Sequence, residues 1–384
     1  MKFNTIGIIC EYNPFHFGHK YHIEKSKEIT GAKNVVCVMS GSMVQRGDVA
    51  IFDKWQRAKS AIDNGADLVI ELPVHYVLQS AENFAYGAVS LLDSLNVVDA
   101  ISFGAETEDI RLLEKIAEET LLPSDEYILK LKEKLADGNG YPSASEYALK
   151  SIFKNLPSDI FSPNNTLGIS YICALKKLKS SIKPVCIRRN NDYHSHNSYD
   201  EYKSATAIRE MITSGESYTS FSPDYSGCNT YNINNAESYI LGTLRNLTPE
   251  TLTDVKGYED GLPNMIVSNA KKSSNLDEFF EKCTSKRYTL HRIRRFCMCA
   301  ILGIKGEVEP KYARILAFNE NGASLLKEIK EKSHLIPVTK TADYKGDEMF
   351  EKDVLSTDFA SLCSSDVTKR ICGMDYVTSP YVKK

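Results

Sequence analysis

The sequence contains no C-x-x-C pair. Its ten cysteines are scattered, with only Cys297 and Cys299 close together. That spacing argues against zinc-ribbon and thioredoxin-type frameworks and leaves reduced thiols as the expected state. Long apolar runs are missing too. The first one, Thr5 to Cys10, is six residues long, whereas a bilayer-spanning helix needs roughly 18 or more. Neither a signal peptide nor a membrane span is expected, and the predicted setting is cytoplasmic. Charge of one sign is also lacking: 47 Lys and Arg against 50 Asp and Glu give a formal net charge of −3. Overall charge therefore does not mark a nucleic-acid binder, and any polyanion would have to be met by local clusters.

What is present is an alternation. Thr5 to Cys10, Lys33 to Met39, Asp67 to Leu72, Val98 to Phe103 and Pro184 to Ile187 are short apolar runs, as parallel strands covered on both faces require. Helical segments lie between them. Asp53 with Gln56 forms a capping box for a helix ending near Gly65, Ser80 to Leu95 and Thr107 to Glu119 follow, and Ser143 with Glu146 reads as a second box. The order predicts an α/β fold, a doubly wound parallel sheet of Rossmann-like type. Gly215 to Asn235 is rich in Ser, Tyr, Gly and Asn. It sets an expected boundary between a catalytic unit, 1–215, and a mainly helical unit, 216–384, with a small α/β tail after Pro310.

The strongest local signal is His16-Phe17-Gly18-His19, followed by Lys20. It falls where the first strand hands over to a helix N-terminus, and there backbone N–H groups and the helix dipole favour phosphate. Two imidazoles and an ammonium can share the charge of a five-coordinate phosphorus and a departing pyrophosphate. As a zinc site the motif is poor, because no Cys or Asp partner is suitably spaced. A second phosphate cradle is Ser204-Ala-Thr-Ala-Ile-Arg209: Ser204 and Thr206 offer hydroxyls and Arg209 a planar fork. The plain alternative there is an ordinary helix capped by Ser204. His194 and His196 lack further metal ligands nearby and suit a loop closing over phosphate.

These two motifs together resemble the adenylyltransferases related to class I aminoacyl-tRNA synthetases. Glu11-Tyr-Asn-Pro-Phe-His-Phe-Gly-His19, Val38-Met-Ser-Gly41, Gln45-Arg-Gly47, Asp53-Lys-Trp55, Asp67-Leu-Val-Ile-Glu-Leu-Pro73, Ser162-Pro-Asn-Asn165, Cys283-Thr-Ser-Lys-Arg-Tyr288 and Arg292-Ile-Arg-Arg295 are similar to the bacterial tRNA(Met) cytidine acetate ligases. The likeness spans nearly the whole chain, and Phe17 occupies the variable position of its motif. It implies a two-step reaction: acetate and ATP give acetyl-adenylate and pyrophosphate, and the wobble cytidine of elongator tRNA(Met) then accepts the acetyl group as N4-acetylcytidine. It also implies catalytic roles for His16, His19, Lys20 and Arg209, with Mg²⁺ accompanying ATP.

For ATP, the resemblance implies Gly7, Ile8, Ile9, Cys10, Glu11, Tyr12, Asn13, Pro14, Phe15 and the run from His16 through Phe17, Gly18 and His19 to Lys20. It adds Gly104, Asn164, Arg188, Ser204 and Thr206. Asn165 and Arg189 stay open as neighbours of Asn164 and Arg188, and Ser40-Gly41 is a candidate for acetate or adenylate. The expected RNA contact is Lys282 to Arg295, where Lys282, Lys286, Arg287, Arg292, Arg294 and Arg295 interleave with Tyr288, His291 and, next in line, Phe296. A second basic run comprises Lys176, Lys177, Lys179 and Lys183. Cys297 and Cys299 fit a buried helical stretch. Two rival readings keep the phosphate chemistry or the pocket alone: a metabolite adenylyltransferase, and a non-catalytic RNA-binding protein with an inherited nucleotide site.

Overall fold

In the computed structural model, residues 3–188 and 203–384 are described. The first half runs β1 (Thr5–Cys10), α1 (Phe17–Thr30), β2 (Asn34–Ser40), a small hairpin of β3 (Met43–Val44) and β4 (Asp48–Val49), α2 (Lys54–Asp63), β5 (Leu68–Leu72), α3 (Val74–Val77), α4 (Ala81–Ser94) and β6 (Ala100–Ala105). Helices α5 (Ile110–Leu121), α6 (Asp125–Ala136), α7 (Tyr141–Ile152) and α8 (Pro163–Lys177) precede β7 (Lys183–Arg188), and α9 (Ala205–Ser214) follows it. The second half holds α10 (Glu237–Asn246), α11 (Leu262–Lys272), α12 (Leu276–Cys283), α13 (Leu290–Leu302), β8 (Tyr312–Phe318), α14 (Glu320–Lys332), β9 (Ile336–Val338), α15 (Glu348–Leu362), α16 (Met374–Val377) and β10 (Tyr381–Val382).

The sheet order is β10-β8-β5-β2-β1-β6-β7, with β9 beside β8. Strands β5, β2, β1, β6 and β7 are mutually parallel. Chain order steps outward from β1 to β2 and β5 on one side and to β6 and β7 on the other, so a switch point lies between β1 and β6. Ligands of open α/β sheets bind there, beyond the strands' carboxyl ends. The tail expected after Pro310 joins this same sheet, β8 running antiparallel to β5 with a register shift at Val69/Ile70. One apolar core extends from Val36 and Leu68 through Leu92 and Phe296 to Cys363. It runs across residue 215, where the sequence placed a boundary.

Local signals set the element ends. Asp53 accepts from the Gln56 amide at 2.8 Å and so caps α2, as its box predicted. The second box is corrected: α7 starts at Tyr141 after Gly140, with a proline in its first turn, so Ser143 lies inside the helix. Proline suits that position because its missing N–H would have no partner there.

His75 of α3 lies 3% exposed with Nε2 3.0 Å from the Gly306 carbonyl oxygen. Burial and the nearby Lys256 ammonium push its pKa down to about 4. Unfolding restores a pKa of roughly 6.5, so the unfolded chain takes up a proton that the folded one refuses. Stability should therefore fall as pH drops from about 6.5 towards 4. Allowing for residual screening, we expect a loss of about 1–2 kcal/mol by about pH 5. Urea midpoints at the two pH values check this, and His75→Gln should flatten the dependence.

Candidate active site

The carboxyl ends of the parallel strands bring Cys10 and Glu11, Ser40 and Gly41, Gly104 to Glu106, and Arg188 to one edge of the sheet. Gly7 and Ile8 sit deeper, inside β1. A Cβ on Gly7 would stand 2.8 Å from Leu92 Cδ1, so this glycine serves the packing of α4 on the sheet. The part of the 7–20 run that reaches the crevice begins near Ile9 and Cys10, both half-buried. Tyr12, at φ 46°, turns the chain in the left-handed region. It, Pro14 and Phe15 are buried, and the Asn13–Pro14 peptide is cis. The Cys10 thiol is held well above its usual pKa range by burial and by Cys37, so it offers no thiolate nucleophile.

His16 is the N-cap of α1, in extended conformation at φ −141° and ψ 168°. Its backbone N–H donates to His19 Nδ1 at 3.2 Å, and the two imidazoles stack with centroids 3.7 Å apart. Since an amide can only donate, Nδ1 of His19 is the acceptor and the neutral ring carries its proton on Nε2. The imidazole is thereby set as a donor, wedged against Tyr12 at 4.8 Å and Phe15 at 5.6 Å. In the first turn, the Phe17 amide donates to the Phe221 carbonyl at 2.8 Å. Among the described residues the Gly18 amide has no protein carbonyl as acceptor. Lys20 stands half-exposed in the same turn, 3.9 Å from Glu24. The Gly18 amide, an N–H of His19 and an ammonium thus converge at one helix N-terminus, the arrangement that holds phosphate.

Arg209 reaches this loop from α9. Its Nη1 donates to the Asn13 carbonyl at 2.6 Å and its Nη2 to Thr206 Oγ1 at 2.9 Å. Burial and the Arg46 guanidinium lower its pKa, but a guanidinium is basic enough to stay charged at neutral pH. Ser204 is spent on capping α9, accepting from the Ala207 amide at 3.2 Å, while Thr206 is exposed beside Arg209. The segment after α9 closes the floor: Ser222 Oγ donates to the Phe15 carbonyl at 2.7 Å.

On the other side of the switch point, Arg188 is exposed and paired in register with Ala105 at the end of β6. Asn164 and Asn165 part company. Asn165 is fully buried, accepting from the Glu106 amide at 2.9 Å and donating to the Asp159 carbonyl at 3.0 Å, which is structural work. Asn164 is half-buried, with Nδ2 2.6 Å from Glu106 Oε1. Glu106, which also accepts from Ser162, is a carboxylate at the crevice that sequence reasoning missed. Its position just past an apolar run ending in Gly104 was the available signal. Arg189, His194 and His196 lie outside the described residues.

Arg57 was missed as well. Fully buried, its guanidinium donates to the carbonyls of Phe52 at 3.1 Å, Glu11 at 2.6 Å, Ser40 at 3.1 Å and Gly41. It ties together the ends of β1 and β2, where aligned carbonyls concentrate negative charge. Below Gly41, Lys54 binds Glu71 at 2.8 Å and Asp375 at 2.9 Å, all three buried. A Cβ on Gly41 would collide with the Glu71 carboxylate, so glycine is required there.

The expected RNA segment is corrected in part. Tyr288 and Phe296 are 7% and 2% exposed, packed in the core, and cannot stack on splayed bases. Arg287 and Arg292 share the single carboxylate of Glu259, and Lys282 pairs with Glu278 at 2.6 Å. In the second run, Lys176 pairs with Glu118 and Lys177 with Glu82. No helix among the described residues is long and apolar enough to cross a membrane, and Cys297 and Cys299 are buried free thiols.

Residues 3–374 match the family described as HIGH Nucleotidyl Transferase. A tRNA(Met) cytidine acetate ligase of Acetivibrio thermocellus is 38% identical over 97% of this chain and 98% of its own. One of Thermoanaerobacter sp. is 40% identical over 98% and 99%. The crystal structure of Thermotoga maritima TmcAL bound with alpha-thio ATP, at 30% identity, covers 99% of both chains with a TM-score of 0.89. Strand order, the position of His16 to Lys20 and near full-length similarity agree: this chain belongs to the HIGH nucleotidyl transferase family and, within it, to the tRNA(Met) cytidine acetate ligases.

Proposed function

We propose that this protein activates acetate with ATP and passes the acetyl group to the wobble cytidine of elongator tRNA(Met), forming N4-acetylcytidine. The observation that carries the reading is the N-terminus of α1 at the switch point, with the protonated Nε2 of His19 fixed by the His16 amide and Arg209 brought beside the same loop. A carboxylate oxygen of acetate attacks the α-phosphorus, and the bond to the bridging oxygen breaks to release pyrophosphate. The protein's work here is to hold two anions together and to stabilise charge on the phosphoryl oxygens and the leaving group. We assign that work to His16, His19, Lys20 and Arg209, a reading supported by their gathering around the α1 N-terminus. In the second step the cytidine N4 amine attacks the acetyl carbonyl, loses a proton, and AMP departs.

ATP would lie across the β1–β6 switch point, with its phosphates towards Gly18, His19 and Lys20. Its nucleoside would lie towards Gly104, Glu106, Asn164 and Arg188. Among the described residues no three His, Cys, Asp or Glu side chains converge as a metal site, so in this scheme Mg²⁺ is carried by the phosphates, as is usual for that ion. Residues 1–215 then supply the nucleotide chemistry and 216–384 contribute to holding the RNA, in the cytoplasm.

The test is incubation of the purified protein with ATP, Mg²⁺, acetate and tRNA(Met), followed by mass spectrometry of the digested RNA. N4-acetylcytidine that depends on both ATP and acetate is expected. Adenylylation of a small metabolite, or RNA binding with no ATP turnover, would overturn the reading in favour of its rivals.

A further inference from the structure

The hairpin β3–β4 follows β2 and lies on the side of β1 away from β6 and β7. Its placement is fixed from both flanks. On one, the Gln45 amide donates to Glu11 Oε1 at 2.6 Å. On the other, the hairpin turn presses on the first turns of α13. Gly47, at φ +77°, comes so close that a Cβ there would stand 2.6 Å from the Arg295 amide nitrogen. Asp48 pairs with Arg294 at 3.0 Å, and Arg295 reaches the Gln45 carbonyl at 3.5 Å. At the tip of this clamped hairpin Arg46 is exposed. Among the described residues it takes part in no ion pair, in contrast to Arg287 and Arg292.

Around it the carboxylates are outnumbered. Among the described residues, Arg46, Arg209, Arg294 and Arg295 face the carboxylates of Glu11, Asp48 and Glu210, still a local excess in a chain whose formal net charge is −3. Arg209 and Arg295 bond only to neutral oxygens. His291 of α13 lies in the same field: Arg46, Arg294 and Arg295 all disfavour its protonated form. Like charges gathered at a rigid position are held at a cost that a bound anion relieves.

The geometry points to Arg46, backed by Arg294 and Arg295 of α13, as the seat of a phosphodiester of the incoming RNA, across β1 from the nucleotide crevice; this rests on the function proposed above. ATP's own polyphosphate is met at the α1 N-terminus on the other side of β1. A strand whose base enters the crevice must run its backbone past the rim between Arg209 and α13. One arginine on one phosphate adds salt-dependent affinity without reading sequence.

Arg46→Gln tests this, with Arg287→Gln as a control that removes the same charge from an ion-paired site. Three quantities are read: nucleotide and acetate dependence of ATP–pyrophosphate exchange, the dissociation constant for the anticodon stem-loop of tRNA(Met), and its dependence on salt. For Arg46→Gln we expect RNA affinity to fall about tenfold and the log–log salt slope to shrink by about 1. Exchange should stay within twofold of wild type in rate and in half-saturation for ATP and acetate, and Arg287→Gln should change little. Weakened ATP or acetate half-saturation with unchanged RNA affinity would assign Arg46 to a small anion and overturn the inference; so would no change at all. Because RNA affinity is read without turnover, a wild-type protein that binds the stem-loop but fails to acetylate it would sink the proposed function separately.

Discussion

His19→Ala is expected to lower acetate-dependent ATP–pyrophosphate exchange by about 10²–10³-fold, the usual effect of removing one preorganised donor from a developing charge. Two roles are lost at once in that variant, because Nδ1 accepts the His16 amide while Nε2 offers the proton. His19→Asn separates them. Its Oδ1 can take over from Nδ1 and keep the turn that starts α1, but nothing replaces Nε2. We therefore expect His19→Asn to melt within a few degrees of the wild type and to be nearly as slow as His19→Ala. Affinity for the anticodon stem-loop should be unchanged in both. Near-wild-type exchange by His19→Asn would show that the imidazole serves only to shape the helix start.

The second large effect is expected at Arg57. Arg57→Met keeps an unbranched stem but not the guanidinium, and leaves the carbonyls of Phe52, Glu11, Ser40 and Gly41 without their donor in a dry interior. Each buried carbonyl left without a donor costs about 1–3 kcal/mol, and the protein can fail to fold. Arg57→Lys is the informative variant, since it keeps the charge but loses the planar fork that spans two strand ends. We expect it to fold and to lose at least tenfold in exchange per active site, mainly in kcat, because β1 and β2 no longer hold His16 and Ser40 in register. Active-site titration with ATP analogue decides the matter. Were Arg57 merely structural, Arg57→Lys would have fewer active molecules, each turning over at the wild-type rate.

The contrast between His19 and Arg57 shows what the sequence displays and what it hides. Strands β1, β2 and β5 were legible because burial on both faces writes itself as continuous Val, Ile and Leu. Asp53 and Ser204 were legible as caps because a cap acts over three residues. The His16 to Lys20 run needed only the strand before it and the helix after it. Arg57, by contrast, reads as one more polar residue in Lys54–Asp63, and its partners become neighbours only when the sheet forms. Glu106 was hidden in the same way. The segment Lys282 to Arg295 was legible only in part, for a related reason. A run of basic residues shows its charges but not their partners, and Glu259 pairs with two of its arginines from about thirty positions upstream. Tyr288 and Phe296 fit an amphipathic helix as well as a stacking surface, and packing decided for the core. Strand β8 could not be assigned to the sheet, because a short apolar run carries no mark of which edge it joins or in which direction.

The buried contact of Lys54 with Asp375 joins residues 321 positions apart. Such a contact closes late, since the entropy of bringing remote segments together must be met before the contact gives anything back. Until it does, the lysine beneath Gly41 has only Glu71 beside it and the ends of β1 and β2 lack their final support. During refolding, helices and the central strands should therefore appear ahead of nucleotide binding. A refolding chain would have a recognisable sheet before it could take up ATP.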